Sequence, residues 1–149
     1  MIRVITITLG FWLSALISAP YLVQSNYSLL QYFGTAVYFL AEPSCHQLPE
    51  RSFFLNELPM PVCVRCFSIY LGGFAIFVVA LFKQSYQTWS TWIYYVSGSL
   101  FLIEFLAEYL NLYHNIFELR LLSGFILGIL LFRIILEFIL KEKVRLKNG

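Results

Sequence analysis

Long apolar stretches are the feature that most constrains how this 149-residue chain folds. About 20 mostly apolar residues in an α-helix cross a bilayer core about 30 Å thick. Such stretches occur four times, at residues 4–23, 66–82, 92–110 and 120–140. Only 12% of the residues are charged, against about 25% in soluble domains. The sequence therefore predicts an all-α, polytopic membrane helical bundle with four transmembrane helices, built as a single domain over residues 1–149.

A fifth apolar stretch, at residues 29–40, is too short for a crossing and predicts an interfacial or re-entrant helix from about Tyr27 to Leu40. The tail at residues 141–149 is strongly basic, and positive charge favours the cytoplasmic side. Four spans then place both termini in the cytoplasm and a cysteine-containing loop, residues 41–66, on the outer side. A bacterial cytoplasmic membrane is the expected location.

Several function classes are excluded by composition and motif. All eight acidic residues are glutamate, so an aspartate-dependent Mg²⁺ phosphotransferase is excluded. The chain has no P-loop, no dinucleotide fingerprint and no nucleophile elbow. The net charge of +2 comes mostly from the basic tail, so it bears on the orientation of the chain more than on nucleic-acid binding, and no nucleic-acid partner is expected. The bilayer is the expected partner, and the oligomeric state is left open.

Polar residues gather at one membrane boundary in the predicted topology. The cysteine loop leads into the second predicted span, the third span ends near residue 110, and the fourth begins near residue 120. All three points lie on the same side of the membrane. The residues brought together there are Cys45, His46, Arg51, Cys63, Arg65, Cys66, Glu108, His114 and Arg120, with Glu104 one helical turn deeper. This gathering indicates where a functional site would lie.

The cysteine loop carries donors for a metal ion. Cys45, His46, Cys63 and Cys66 form a complete tetrahedral set for Zn²⁺, although adjacent residues 45 and 46 could both bind only in a sharply turned backbone. Residues 63 and 66 are spaced by one helical turn, and Pro61 suits the opening of a helix whose N-terminus, together with Arg65, would stabilise a thiolate. A reversible disulfide or an inert structural bridge among the three cysteines are the alternatives.

Ionisable groups within the predicted spans are a second lead. Glu104 and Glu108 share one helix face, and Arg120 begins a face that continues through Gly124 and Gly128, a stripe that favours close helix contact. We expect Glu108 and Arg120 to form a structural ion pair. Glu104, being deeper, is then the candidate proton carrier or metal ligand, because an unpaired carboxylate is costly in hydrocarbon.

Three other charged residues complete the set of candidates. Arg51 lies in the cysteine loop and, like Glu104, is a candidate catalytic residue, with ligand binding as its expected role. Arg133 and Glu137 are four residues apart near the opposite boundary, and we predict a structural pair there.

Five motifs in order give the chain a resemblance to a known family. These are Cys45-His46-Gln47, Pro49-Glu50-Arg51-Ser52, Cys63-Val64-Arg65-Cys66, Ile69-Tyr70-Leu71-Gly72, and an acidic span followed by Arg120, Gly124 and Gly128. In this pattern, from residue 45 to residue 128, the chain resembles the domain of unknown function 2085 family of small bacterial and archaeal membrane proteins. The resemblance implies an integral membrane protein and brings no activity with it.

Three functions from different classes follow from these residues. The first is a membrane-embedded protein that binds zinc through its Cys/His cluster above buried glutamates, structural with four protein donors or open to water or substrate with three. The second is a thiol-disulfide oxidoreductase that uses Cys63 and Cys66 and passes electrons to a membrane-protein or lipid-soluble partner. The third is a non-catalytic scaffold or assembly subunit. Whether the chain is an enzyme is left open.

Overall fold

The computed structural model describes residues 1–82, 90–110 and 116–148, and at residues 108, 109 and 142–148 it describes the backbone alone. The chain is mainly helical. In chain order its elements are α1 (Ile2–Val23), α2 (Ser28–Ala41), β1 (Ser52–Leu55), β2 (Leu58–Cys63), α3 (Val64–Phe82), α4 (Thr91–Tyr109) and α5 (Phe117–Asn148), with short 3-10 turns at Glu42–Ser44 and Pro49–Arg51.

Three helices of the described chain are long and apolar enough to span a membrane, so the prediction of four is not confirmed. They are α1, α3 and the Phe117–Lys141 part of α5. The predicted span at residues 92–110 corresponds to α4, whose apolar part, Thr91–Ala107, is shorter. At 1.5 Å per residue this part covers about 26 Å, less than a bilayer core of about 30 Å. The predicted short helix is present as α2.

The predicted cysteine loop contains a β-hairpin, so the all-α prediction is wrong in this segment. Strands β1 and β2 pair antiparallel, with Phe54 opposite Pro59 and an irregular register between Ser52 and Phe54. The two residues of the turn, Asn56 and Glu57, have φ values of 52° and 67°. Two consecutive left-handed residues are typical of a tight hairpin turn whose twist matches the strands. Two prolines in β2 hid this strand from sequence analysis, because proline disfavours strand interiors.

Helices α1 and α3 run antiparallel, and the two ends of the bundle bury different residues. At one end Ile2 packs against a buried cluster that includes Phe77 of α3, and Leu140 of α5 packs against the same cluster. At the other end Leu16 of α1 clusters with Cys45. The first residues of α1 and Leu140 therefore lie at the end of the bundle opposite the cysteines.

Glycines allow the backbones of α3 and α5 to touch, as the predicted small-residue stripe requires. A Cβ atom added at Gly124 would meet the hydroxyl of Ser68 and the carbonyl of Arg65, and one added at Gly128 would meet the backbone of Ile69. From the other helix, a Cβ atom on Gly72 would meet the backbone of α5. Small residues at a helix interface permit such close approach and the dispersion contacts that follow from it.

Polar contacts attach α4 to α5 near the end away from the cysteines. Arg133 Nε donates to Glu137 Oε1 at 3.3 Å, as the spacing of these residues predicted. The hydroxyl of Tyr94 donates to the same carboxylate oxygen at 3.0 Å. Most side chains of α4 are exposed and apolar, which suits a helix surrounded by lipid.

Replacing the interface glycines by alanine should destabilise the bundle although alanine favours a helix. We expect Gly124→Ala and Gly128→Ala each to lower the free energy of unfolding by about 1–3 kcal/mol, because backbone atoms must move. Gly98 of α4 faces open space, so Gly98→Ala should be neutral or stabilise by up to about 1 kcal/mol. Denaturant unfolding in detergent, followed by circular dichroism, measures all three. Equal effects at the three sites would contradict this account of the interface.

Candidate metal centre

Cys45 and the pair Cys63 and Cys66, which follow it by 18 and 21 residues, converge at one end of the bundle. The sulfur atoms of Cys45, Cys63 and Cys66 all lie within 4.8 Å of one another, and we call this group the cysteine centre. Cys45 is buried, whereas Cys63 and Cys66 are half-buried. The surrounding apolar cluster includes Leu16 and Met60, so the centre is walled on its inner side by hydrocarbon.

Each cysteine is positioned by a different element. Cys45 follows the 3-10 turn Glu42–Ser44, and its backbone amide donates to the carbonyl of Ala41 at 3.1 Å. Cys63 ends β2, and Cys66 is the third residue of α3. The prediction that Pro61 opens a helix carrying both later cysteines is therefore wrong, because the hairpin runs up to residue 63 and the helix begins immediately after it.

A sharp turn after Cys45 is present, although it leaves the histidine outside the centre. Gln47 has a φ of 51°, a left-handed conformation that reverses the chain. Its side-chain amide donates to the carbonyl of Tyr38 at 2.6 Å, which ties the turn to α2. His46 is exposed, and within the described part of the chain the group of converging donors consists of the three cysteines. The structure thus brings together three of the four predicted metal ligands.

Hydrogen bonds favour a thiolate at Cys45. Its sulfur accepts a bond from the backbone amide of Cys63 at 3.1 Å. Hydrogen bonds from the thiols of Cys63 and Cys66, helped by the backbone amides of Cys63 and Gln47, hold the pKa of Cys45 well below its usual range, although burial opposes them. The pKa of Cys63 is raised, chiefly by its hydrogen bond with Cys45. These hydrogen bonds thus favour Cys45 as the thiolate of the centre.

The donor set and its spacing suit a thiophilic metal ion. Zinc forms Zn–S bonds of about 2.3 Å, which places thiolates in a tetrahedral site about 3.8 Å apart. Sulfurs that already lie within 4.8 Å of one another need only small side-chain rotations to reach that distance. Thiolates select zinc, Cu(I) and iron-sulfur clusters over Mg²⁺ or Ca²⁺. The three cysteines are therefore able to hold a metal ion.

Glu104 is paired, which corrects the prediction of an uncompensated carboxylate facing the cysteines. Arg65 Nη2 donates to its two carboxylate oxygens at 2.7 and 2.8 Å. Ser123 Oγ of α5 donates to Oε2 at 3.3 Å. The guanidinium of Arg65 lies 5.8 and 5.9 Å from the ring centroids of Phe101 and Phe105. Arg65 thus turns toward α4 and α5, and the predicted thiolate stabilisation by its side chain is replaced by backbone amides.

The other predicted site residues have different outcomes. Arg120 is buried on α5. The side chain of Glu108 and the whole of His114 lie outside the described residues, so the predicted pair of Glu108 with Arg120 stays a prediction. Arg51 lies half-buried in the 3-10 turn before β1. A ligand-binding or catalytic role for Arg51 likewise stays a prediction.

Two residues that fix the cysteine centre were missed by sequence reasoning. Gln47 turns the chain beside Cys45, and the hydroxyl of Tyr38 donates to the carbonyl of Pro59 at 2.6 Å, which joins α2 to β2. The available signal for the first was its position, since Gln47 directly follows the Cys45-His46 pair. The second depends on a tertiary contact between residues 21 positions apart.

Removing either partner of the Arg65–Glu104 pair should destabilise the bundle. We expect Arg65→Met and Glu104→Met each to lower the free energy of unfolding by about 3–5 kcal/mol, because each leaves a charge in apolar surroundings. The double variant should lose less than the sum of the two single losses. Glu118 is exposed at the start of α5, and Glu118→Gln should change stability by less than about 1 kcal/mol. Strictly additive losses in a detergent unfolding assay would refute the pairing.

The sequence of this chain is similar to those of other membrane and uncharacterized proteins. An uncharacterized protein of Methanocaldococcus jannaschii is 28% identical over 123 residues, which are 79% of this chain and 78% of the relative. An uncharacterized protein of Methanothermobacter thermautotrophicus is 50% identical over 36 residues, 24% of this chain and 32% of the relative. No solved structure matches. The family described as "Predicted membrane protein (DUF2085)" matches residues 45–134, from the first cysteine of the centre to α5, and the chain belongs to this family.

Proposed function

We propose that this protein is a membrane-embedded metal-binding protein whose cysteine centre holds one zinc ion per chain. The observation that carries the proposal is the convergence of three sulfurs within 4.8 Å at one end of an apolar helical bundle. Backbone amides directed at Cys45 support it further, because a thiolate is the form of cysteine that binds metal.

The metal content of the purified protein and of its cysteine variants tests the proposal. Protein purified in detergent should contain about one zinc per chain by elemental analysis, and Cys45→Ser, Cys63→Ser and Cys66→Ser should each remove most of it, because a site with one donor missing binds far more weakly. His46→Ala is the matched control, since His46 is exposed and adjacent to Cys45. It should retain the metal.

A thiol-disulfide oxidoreductase is the second candidate, favoured by the lowered pKa of Cys45 beside two further sulfurs. In this reaction the Cys45 thiolate attacks a partner's disulfide, forms a mixed disulfide and releases one partner sulfur as a thiolate. The thiol of Cys63 or Cys66 gives its proton to that thiolate, attacks the Cys45 sulfur and releases the second partner sulfur as a thiolate. The partner disulfide is reduced, and two cysteines of this chain are oxidised. Metal-free protein with one free thiol and one disulfide per chain would favour this candidate and contradict the first. Metal-free protein whose three thiols form no disulfide when a disulfide reagent is added would contradict both candidates and leave a scaffold role.

We further propose that the cysteine centre faces the outer side of the membrane. Leu140 of α5 and the start of α1 share the opposite end of the bundle, and the basic residues that follow Leu140 favour the cytoplasm. In a variant with the three native cysteines replaced by serine, Gln84→Cys should react with a membrane-impermeant maleimide in inverted vesicles but not in intact cells. Labelling in intact cells would contradict this orientation and place the cysteine centre on the cytoplasmic side.

A further inference from the structure

The two faces of the cysteine centre differ in polarity. Cys45 lies against Leu16 and Met60 in the apolar cluster. Cys66 and Tyr70 also pack against this cluster, but on the side of Ser44 the thiol of Cys66 lies 3.8 Å from the Ser44 carbonyl oxygen, and the hydroxyl of Tyr70 donates to Ser44 Oγ at 3.3 Å. Ser44 is exposed, and Tyr70 is half-buried. The accessible side of the centre is therefore lined by hydrogen-bonding groups.

The surroundings of the centre are fixed by contacts that need no metal. The hairpin tip is joined to the end of α1 by two hydrogen bonds between Gln24 and Asn56, each of 2.6 Å. Tyr38 and Gln47 join α2 to β2 and to the turn after Cys45. Structural zinc sites, in contrast, have four protein ligands and supply the folding energy of their segment. Among the described residues, the donors that converge here are three.

We propose that the metal bound by the cysteine centre keeps an open coordination position beside Tyr70, and that this position takes an external small-molecule thiol. The inference rests on the metal-binding function proposed above. The open position lies on the side of Cys66, where Ser44 and Tyr70 offer hydroxyl groups to a polar substituent of the ligand.

The exchange is a ligand substitution without oxidation or reduction. The thiol loses its proton to solvent, its sulfur forms a bond to the metal, and the water that held the fourth position leaves. A thiophilic ion with three thiolates accepts a fourth sulfur readily, because soft donors suit such ions. A thiol that also carries a hydroxyl group should gain one hydrogen bond by donating to the oxygen of Tyr70, because the hydroxyl hydrogens of Tyr70 and Ser44 are already bonded to Ser44 Oγ and the Ala41 carbonyl.

Cobalt(II)-substituted full-length protein in detergent tests the inference, because the visible bands of Co(II) report its ligands. Addition of 2-mercaptoethanol should change these bands saturably while cobalt stays bound. Ethanethiol, which lacks the hydroxyl, should bind about three- to tenfold more weakly, the effect of one net hydrogen bond. Tyr70→Phe should retain cobalt and remove most of this preference. Tyr27→Phe is the matched control at an exposed tyrosine and should preserve it.

The outcomes separate this inference from the metal-binding function itself. Cobalt that binds but gives bands unchanged by either thiol overturns the open position and leaves the metal centre standing. The same holds if thiol strips the cobalt, or if His46→Ala or His114→Ala alters the bands without thiol, since the fourth donor is then internal. Failure of the protein to bind cobalt or zinc overturns both proposals. Metal-free protein should keep its helical circular dichroism and a cooperative thermal transition, and loss of that transition would indicate a closed structural site.

Discussion

The backbones of α3 and α5 touch through glycines, and the position of the cysteine centre depends on this contact. Gly124 leaves room for the carbonyl of Arg65 and the hydroxyl of Ser68, both in the first turns of α3. Cys66 lies in the same turn of α3. A side chain at residue 124 would therefore displace the segment that carries one metal donor and one half of the Arg65–Glu104 pair.

The first turn of α3 carries a candidate metal ligand on one face and a charged side chain of an ion pair on another. On one side Cys66 joins Cys45 and Cys63 in a group of soft donors stabilised by backbone amides. On the other side Arg65 donates two hydrogen bonds to Glu104, and its guanidinium lies beside the stacked rings of Phe101 and Phe105. Ion pairing satisfies a charge that would be expensive in apolar surroundings. Because the helix faces differ, adjacent residues of the Cys-x-Arg-Cys motif serve different parts of the molecule.

Sequence periodicity and hydropathy predicted the elements whose physics is local. The apolar stretches at residues 4–23, 66–82 and 120–140 match α1, α3 and α5, because length and hydrophobicity suffice to define a membrane helix. The short helix at residues 29–40 was also predicted. The hairpin at residues 52–63 was not, since its strand pairing depends on a left-handed turn at Asn56 and Glu57 and its second strand contains prolines.

By itself, the sequence determined the membrane location, the family and the three cysteines as the principal chemical groups, because composition and motif spacing are readable along the chain. The tertiary structure decided which groups meet. His46 is exposed and lies outside the cysteine centre, because the turn at Gln47 directs a backbone amide toward Cys45. Glu104 forms its ion pair with Arg65. These choices depend on which helix faces oppose each other. The orientation of the helices about their axes is fixed by glycine contacts and hydrogen bonds between residues far apart in the chain.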